Sequence, residues 1–73
     1  LKPLTDRQRA TLRFIIEHRD IHGYPPTCRE MMSRFEVNSS QAIRDVLGAL
    51  ERKGYIARAY ATARGITVLR EAA

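Results

Sequence analysis

Two adjacent prolines near the middle of a short chain limit what it can fold into more than any other feature. Pro25 and Pro26 each fix φ and remove a backbone donor, and each pushes the residue before it out of the α region. Tyr24-Pro25-Pro26 therefore cannot be helical and forms a rigid connector. Gly23 stands before it as a helix C′ residue would. Thr27 follows it and, with Glu30, makes a Thr-x-x-Glu capping box, the signature of a helix start. One helix is thus expected to end just before the connector and another to begin just after it.

The upstream helix has a start signal of the same kind. Thr5 and Gln8 form a second capping box, so this helix begins at Asp6, and Leu4 precedes the cap where a hydrophobic staple would sit. Leu12, Ile15 and Ile16 form its inward stripe, which Phe14 and Ile21 widen. Downstream, Cys28, Met31, Met32 and Phe35 give a short helix one apolar face, ending near Phe35 or Glu36. Val37-Asn38 is the turn into a third helix capped by Ser39. There Ile43, Val46, Leu47 and Leu50 recur at i, i+3, i+4 and i+7, leaving Gln41, Arg44, Asp45 and Arg52 on the opposite face.

Those outward side chains are of the types that hydrogen-bond base edges and phosphates. Residues 28–53 accordingly read as a helix-turn-helix whose third helix is the recognition helix. Arg44 is read as a DNA contact rather than as an exposed residue on the open flank of Gly48. Gly48 itself costs a helix about 1 kcal/mol relative to Ala, and close approach to a phosphate or simple tolerance would account for it. Gly54 ends the helix after Arg52-Lys53, a basic pair that complements the negative end of the helix dipole. Residues 55–60 and 66–69 are strand-like runs separated by 61–65, which predicts a β-hairpin. Ile56 and Val68 are its core-facing candidates, although Arg58, in line with Ile56, weakens the alternation. Tyr55 and Tyr60 are read as hairpin packing rather than a protein interface, and residues 70–73 as a frayed end. The fold class is mainly α: a three-helix bundle with a C-terminal β-hairpin wing at about 55–69, a winged helix-turn-helix filling residues 1–73 as a single domain.

Size and charge narrow the function. Seventy-three residues barely enclose one core, so a second functional domain does not fit. No apolar run approaches the roughly 20 residues a bilayer requires, and no signal-peptide core is visible, which makes the cytoplasm the expected compartment. Thirteen Lys and Arg against eight Asp and Glu give a net charge of +5 and favour a polyanionic partner. The single Cys28 excludes an internal disulfide and cannot supply a zinc site by itself. It follows an N-cap, where a helix dipole could activate a thiol, but its place beside Met31 and Phe35 reads as packing. His18 and His22 have the i, i+4 spacing of a metal pair, yet Arg19 follows His18 and no third ligand lies at a recognised offset. They read as two solvated histidines, with no metal and no cofactor expected. Without a Gly-rich phosphate loop, a Ser/His/acid order or a carboxylate pair, the chain is expected not to be an enzyme.

In order and spacing, several short motifs now coincide. Leu4, Thr5, Arg7 and Gln8 give LT-x-RQ; Gly23, Pro25, Pro26 and Thr27 give G-x-PPT; Ser39 and Ala42 open the third helix. Ala49, Leu50, Arg52, Lys53, Gly54 and Ile56 give AL-x-RKG-x-I, and Ala63, Arg64, Gly65 and Ile66 give ARGI. Together they resemble the N-terminal DNA-binding domain of the LexA family, bacterial repressors of the DNA-damage (SOS) response, across essentially the whole chain.

The resemblance implies a transcriptional repressor module binding double-stranded DNA at a palindromic operator, with the third helix in the major groove and the wing on the backbone or minor groove. It implies base reading by Ser39, Gln41, Ala42, Arg44 and Asp45, and backbone contact by Arg7, Ser40, Arg52, Lys53 and Arg64. It further implies a bacterial, nucleoid-associated protein that dimerises through a C-terminal self-cleaving Ser-Lys domain. None of that domain is found in this sequence, so the isolated domain is expected to be monomeric off DNA. Three positions depart from the family pattern: Gln41 where Asn is typical, Arg44 where an acidic residue is, and Glu36 where Gly is common. The departures at 41 and 44 imply a different half-site. The alternative reading is a stand-alone winged-helix protein-interaction module, or a small phage- or plasmid-type regulator.

Overall fold

The structure, a computed structural model, describes residues 3–59 and 64–71. In chain order come α1 (Asp6–His22), α2 (Cys28–Phe35), α3 (Ser40–Arg52), β1 (Ile56–Arg58) and β2 (Ile66–Val68). Three helices and a two-stranded antiparallel hairpin are the expected winged helix-turn-helix plan. No helix among the described residues is long and apolar enough to cross a membrane.

Both capping boxes form. The Thr5 hydroxyl accepts from the Gln8 N–H while the Gln8 side chain accepts from the Thr5 N–H; Thr27 and Glu30 do the same for α2. Helix α1 then stops at Gly23, whose φ of 83° only glycine adopts freely. Helix α2 stops in the same left-handed conformation on Glu36, φ 55°, although a side chain there is strained by about 1 kcal/mol or more. The reward for the turn is local: the Val37 N–H closes on the Met32 carbonyl at 3.0 Å, and the chain is aimed into α3.

The core draws on every element. Leu4 and the α1 residues Leu12 and Ile15 meet Met31 of α2, then Ile43, Leu47 and Leu50 of α3, and Tyr55 and Ile56 where the hairpin begins. Helix α3 lies against α1, α2 and β1, which leaves its other face outward. In the hairpin Ile56 pairs with Val68, Ala57 with Thr67 and Arg58 with Ile66. The strands are shorter than the runs read from the sequence, and Tyr60 with the tip residues 61–63 lies outside the described residues. Arg58 does share the face of Ile56, because it serves an ion pair: its Nη2 lies 3.2 Å from Glu51 Oε1 on α3. Its long apolar stem can line the core edge while its charged head is partnered.

Candidate nucleic-acid interface

Because Ile43, Leu47 and Leu50 are buried, the opposite side of α3 presents Gln41, Arg44, Asp45 and Arg52 to solvent. Ser39, the exposed N-cap, accepts from the Gln41 N–H at 3.2 Å. Ser40 and Ala42 are half-buried beside it. The face is ordered by its own side chains. Arg44 Nη2 donates to Ser40 Oγ at 3.0 Å, and Gln41 Nε2 donates to Asp45 Oδ1 at 2.7 Å, each an i, i+4 pair. Helical side chains lean toward the N-terminus, so Arg44 covers the turn at Ser40 and not the flank of Gly48. Arg52 occupies that flank instead, since a Cβ built on Gly48 would come within 3.3 Å of Arg52 Nη1. Gly48 thus makes room for an arginine of its own helix.

The backbone-contact residues read from the sequence fall into two groups. Arg7, on α1, and Arg52 are exposed, whereas Lys53 and Arg64 are engaged within the protein. Lys53 Nζ donates to Gln8 Oε1 at 2.6 Å and to the Pro3 carbonyl at 2.9 Å, both neutral acceptors. Arg64 Nη1 donates to Glu30 Oε1 at 2.8 Å and to the Pro25 carbonyl at 2.9 Å, with Nη2 3.3 Å from Glu30 Oε2. Its guanidinium carbon also stands 4.3 Å from the centre of the Tyr24 ring. The hydrogen bonds from Arg64, then the Thr27 N–H, lower the Glu30 carboxyl from 4.5 to about 2, and Glu30 in turn raises the Arg64 guanidinium. Arg64, expected from the resemblance to contact the backbone of DNA, is thus held by an anion and a carbonyl of its own chain, with its side chain still 35% exposed.

His18 also differs from its sequence reading. Its side chain is only 10% exposed, with Nδ1 donating to the Tyr24 carbonyl at 2.9 Å and Nε2 3.7 Å from Glu30 Oε1. His22 is exposed, its ring centre 4.4 Å from that of His18. No trio of His, Cys, Asp or Glu among the described residues is placed to hold a metal ion. Cys28 is a free, half-buried thiol packed against the core.

A short α2, a left-handed turn and an α3 with an ordered polar face, followed by a hairpin, define a winged helix-turn-helix DNA-binding domain. The profile of the LexA DNA binding domain family matches residues 1–65, and the chain belongs to that family. It is 47% identical over 68 residues to LexA repressor 2 of Geobacter sulfurreducens, spanning 93% of this chain and 34% of that protein. Against the LexA repressor of Myxococcus xanthus it is 38% identical over 72 residues, 99% of this chain and 32% of that one. The chain therefore spans about a third of the length of these relatives. A crystal structure described only as that of a hypothetical protein superposes with a TM-score of 0.73 at 28% identity, covering 90% of this chain and 20% of that one.

Proposed function

We propose that this domain is the operator-reading module of a LexA-type transcriptional repressor of the DNA-damage response. The observation that carries the reading is the outward face of α3, where Gln41, Arg44 and Asp45 stand exposed in the first two turns on a helix anchored by three buried residues. Gln can bond adenine N6 and N7 together, Arg can bond guanine O6 and N7, and each such pair gives about 1–3 kcal/mol of discrimination. Asp45 can accept from cytosine N4 or orient its neighbours, and Ser39 and Ala42 flank the same stretch of groove. Phosphates are held by Arg7, Ser40 and Arg52, with Lys53 adding charge, since its partners Gln8 and Pro3 are neutral. Two copies occupy a palindromic operator and dimerise through a part of the protein other than this domain, which alone is a weak monomeric binder; the setting is the bacterial cytoplasm, at the nucleoid. The module performs no catalysis in this reading.

Selection of bound sites from a random duplex pool, followed by a salt titration, tests this directly. A half-site with guanine opposite Arg44 is expected, with affinity falling steeply as salt rises. Arg44→Ala should relax that one position, and Arg44→Glu should shift it toward a pair offering a cytosine amino group. An unaltered consensus in both variants excludes Arg44 as a base reader. Binding without salt dependence, alongside a stable protein complex, would favour a protein-interaction module.

A further inference from the structure

The return strand of the hairpin, β2, is preceded by a residue held from outside the hairpin. Arg64 reaches across to the connector and to α2, where it meets the Pro25 carbonyl, both oxygens of Glu30 and the face of the Tyr24 ring. Each of these partners is itself fixed. Glu30 accepts from the Thr27 N–H at 2.8 Å as part of the α2 capping box. Pro25 has a locked φ. The Tyr24 carbonyl is held by His18 Nδ1 at 2.9 Å. A single guanidinium thus joins the approach to β2 to the connector and to the first turn of the helix-turn-helix.

The hairpin is also held where Arg58 Nη2 lies 3.2 Å from Glu51 Oε1 of α3, and at the far end of its strands. There Ile56 and Tyr55 are in the core with Val68 packed on it, and the Tyr55 carbonyl accepts from the Leu69 and Arg70 N–H groups at 2.8 and 3.2 Å. One attachment fixes where a two-stranded ribbon starts. Further ones, at Arg58 and at Arg64, fix the direction in which it leaves.

We propose that Glu30 and Arg64 are positioning residues for DNA binding: their clamp sets the angle of the hairpin to α3, so that the hairpin meets the duplex backbone beside the bases α3 reads. The proposal rests on the DNA-binding reading above. Neither residue touches DNA in it, and Glu30 acts through Arg64.

Glu30→Gln tests the clamp by the sign of its effect. The amide oxygen still accepts from the Thr27 N–H, so α2 stays capped, while Arg64 loses its carboxylate partner and the bond to Oε2, and the net charge rises by one. Were Arg64 a phosphate contact, the variant would bind DNA as tightly as the wild type or more tightly, with an equal or steeper salt dependence. Under the clamp, affinity falls about tenfold and the log–log salt slope becomes shallower, because a misdirected hairpin keeps the phosphate contacts of Arg7 and Arg52 from forming together despite the added charge. Arg64→Lys keeps the charge but loses the forked hold and the ring contact, and it should show the same two changes. Thermal melts identify folded variants, and Arg64→Lys carries the test if Glu30→Gln is unfolded. A merely destabilised domain would lose affinity at an unchanged slope, which overturns the proposal, as does undiminished binding by either variant. If the wild type itself shows no salt-dependent binding to duplex DNA, the proposed function fails and the clamp with it; if the wild type binds and both variants bind as well, only the clamp fails.

Discussion

Helices α1 and α2 begin with the same device and put it to different use. In each, a Thr hydroxyl caps the first turn and the side chain three residues on reaches back to the cap. In each, that second side chain also receives a cation from far along the sequence, Lys53 onto Gln8 and Arg64 onto Glu30. The first acceptor is neutral and the second is charged. A neutral acceptor fixes an ammonium without cancelling its charge, so Lys53 still contributes to the field that DNA meets. The carboxylate offsets the charge of Arg64 and holds its guanidinium against the start of α2. The two helices also end differently, α1 on glycine and α2 on Glu36 in the same left-handed region.

The largest expected effect comes from removing the caps. Thr27→Ala should cost about 1–2 kcal/mol and Thr5→Ala about 0.5–1 kcal/mol, because the first box is solvent-exposed while the second is half-buried and supports Arg64. Denaturant midpoints would check this, and equal losses would mean that the hold on Arg64 adds nothing to the cap. Next is Glu36→Gly, which relieves the left-handed strain and should stabilise the domain by about 1 kcal/mol, whereas Gly23→Ala should destabilise it.

A subtler change converts one box into the other. Gln8→Glu keeps the acceptor for Lys53 but neutralises it, and should lower the log–log salt slope of DNA binding by about 0.9 with α1 still capped. Lys53→Ala should give the same slope, and a difference between the two would show that Lys53 acts other than by charge.

The smallest effect is expected in acid. Glu30 has a folded value near 2 against an ordinary 4.5, so its contribution is complete above 4.5 and is lost as the pH falls from there toward 2. Gln8 does not titrate. The melting temperature should therefore drop more between pH 5 and pH 2 in the wild type than in Glu30→Gln, and parallel curves would remove Glu30 from the acid response.

The sequence disclosed whatever is specified locally. Thr-x-x-Gln and Thr-x-x-Glu boxes, the proline pair, the Ile43-to-Leu50 stripe and Gly54 each act within one or two turns, so helix starts and the outward face of α3 could be read directly. The cations were a different matter. Lys53 and Gln8 are 45 residues apart and Arg64 and Glu30 are 34 apart, and no spacing rule links them. Without the fold, a basic residue in a basic chain reads as free for phosphate. His18 was missed for the same reason, since its burial depends on the connector folding back to place the Tyr24 carbonyl at its Nδ1. The alternation fault at Arg58 was legible as a fault, and its cause, Glu51, lay on another element.

The paired side chains of α3 have a consequence for how a site is searched for. Arg44 is held by Ser40 and Gln41 by Asp45 before any base is met. In the base-reading role proposed above, a base competes with these partners, and only one with the matching donors and acceptors returns what a displaced bond gives up. Such exposed i, i+4 pairs contribute only about 0.2–0.5 kcal/mol each, a latch weak enough to open in thermal motion. In that proposed role, it closes again on mismatched sequence and leaves the domain held by phosphates alone, free to slide. Dwell time on the wrong sequence is thereby shortened with no change in the contacts that bring the protein to DNA.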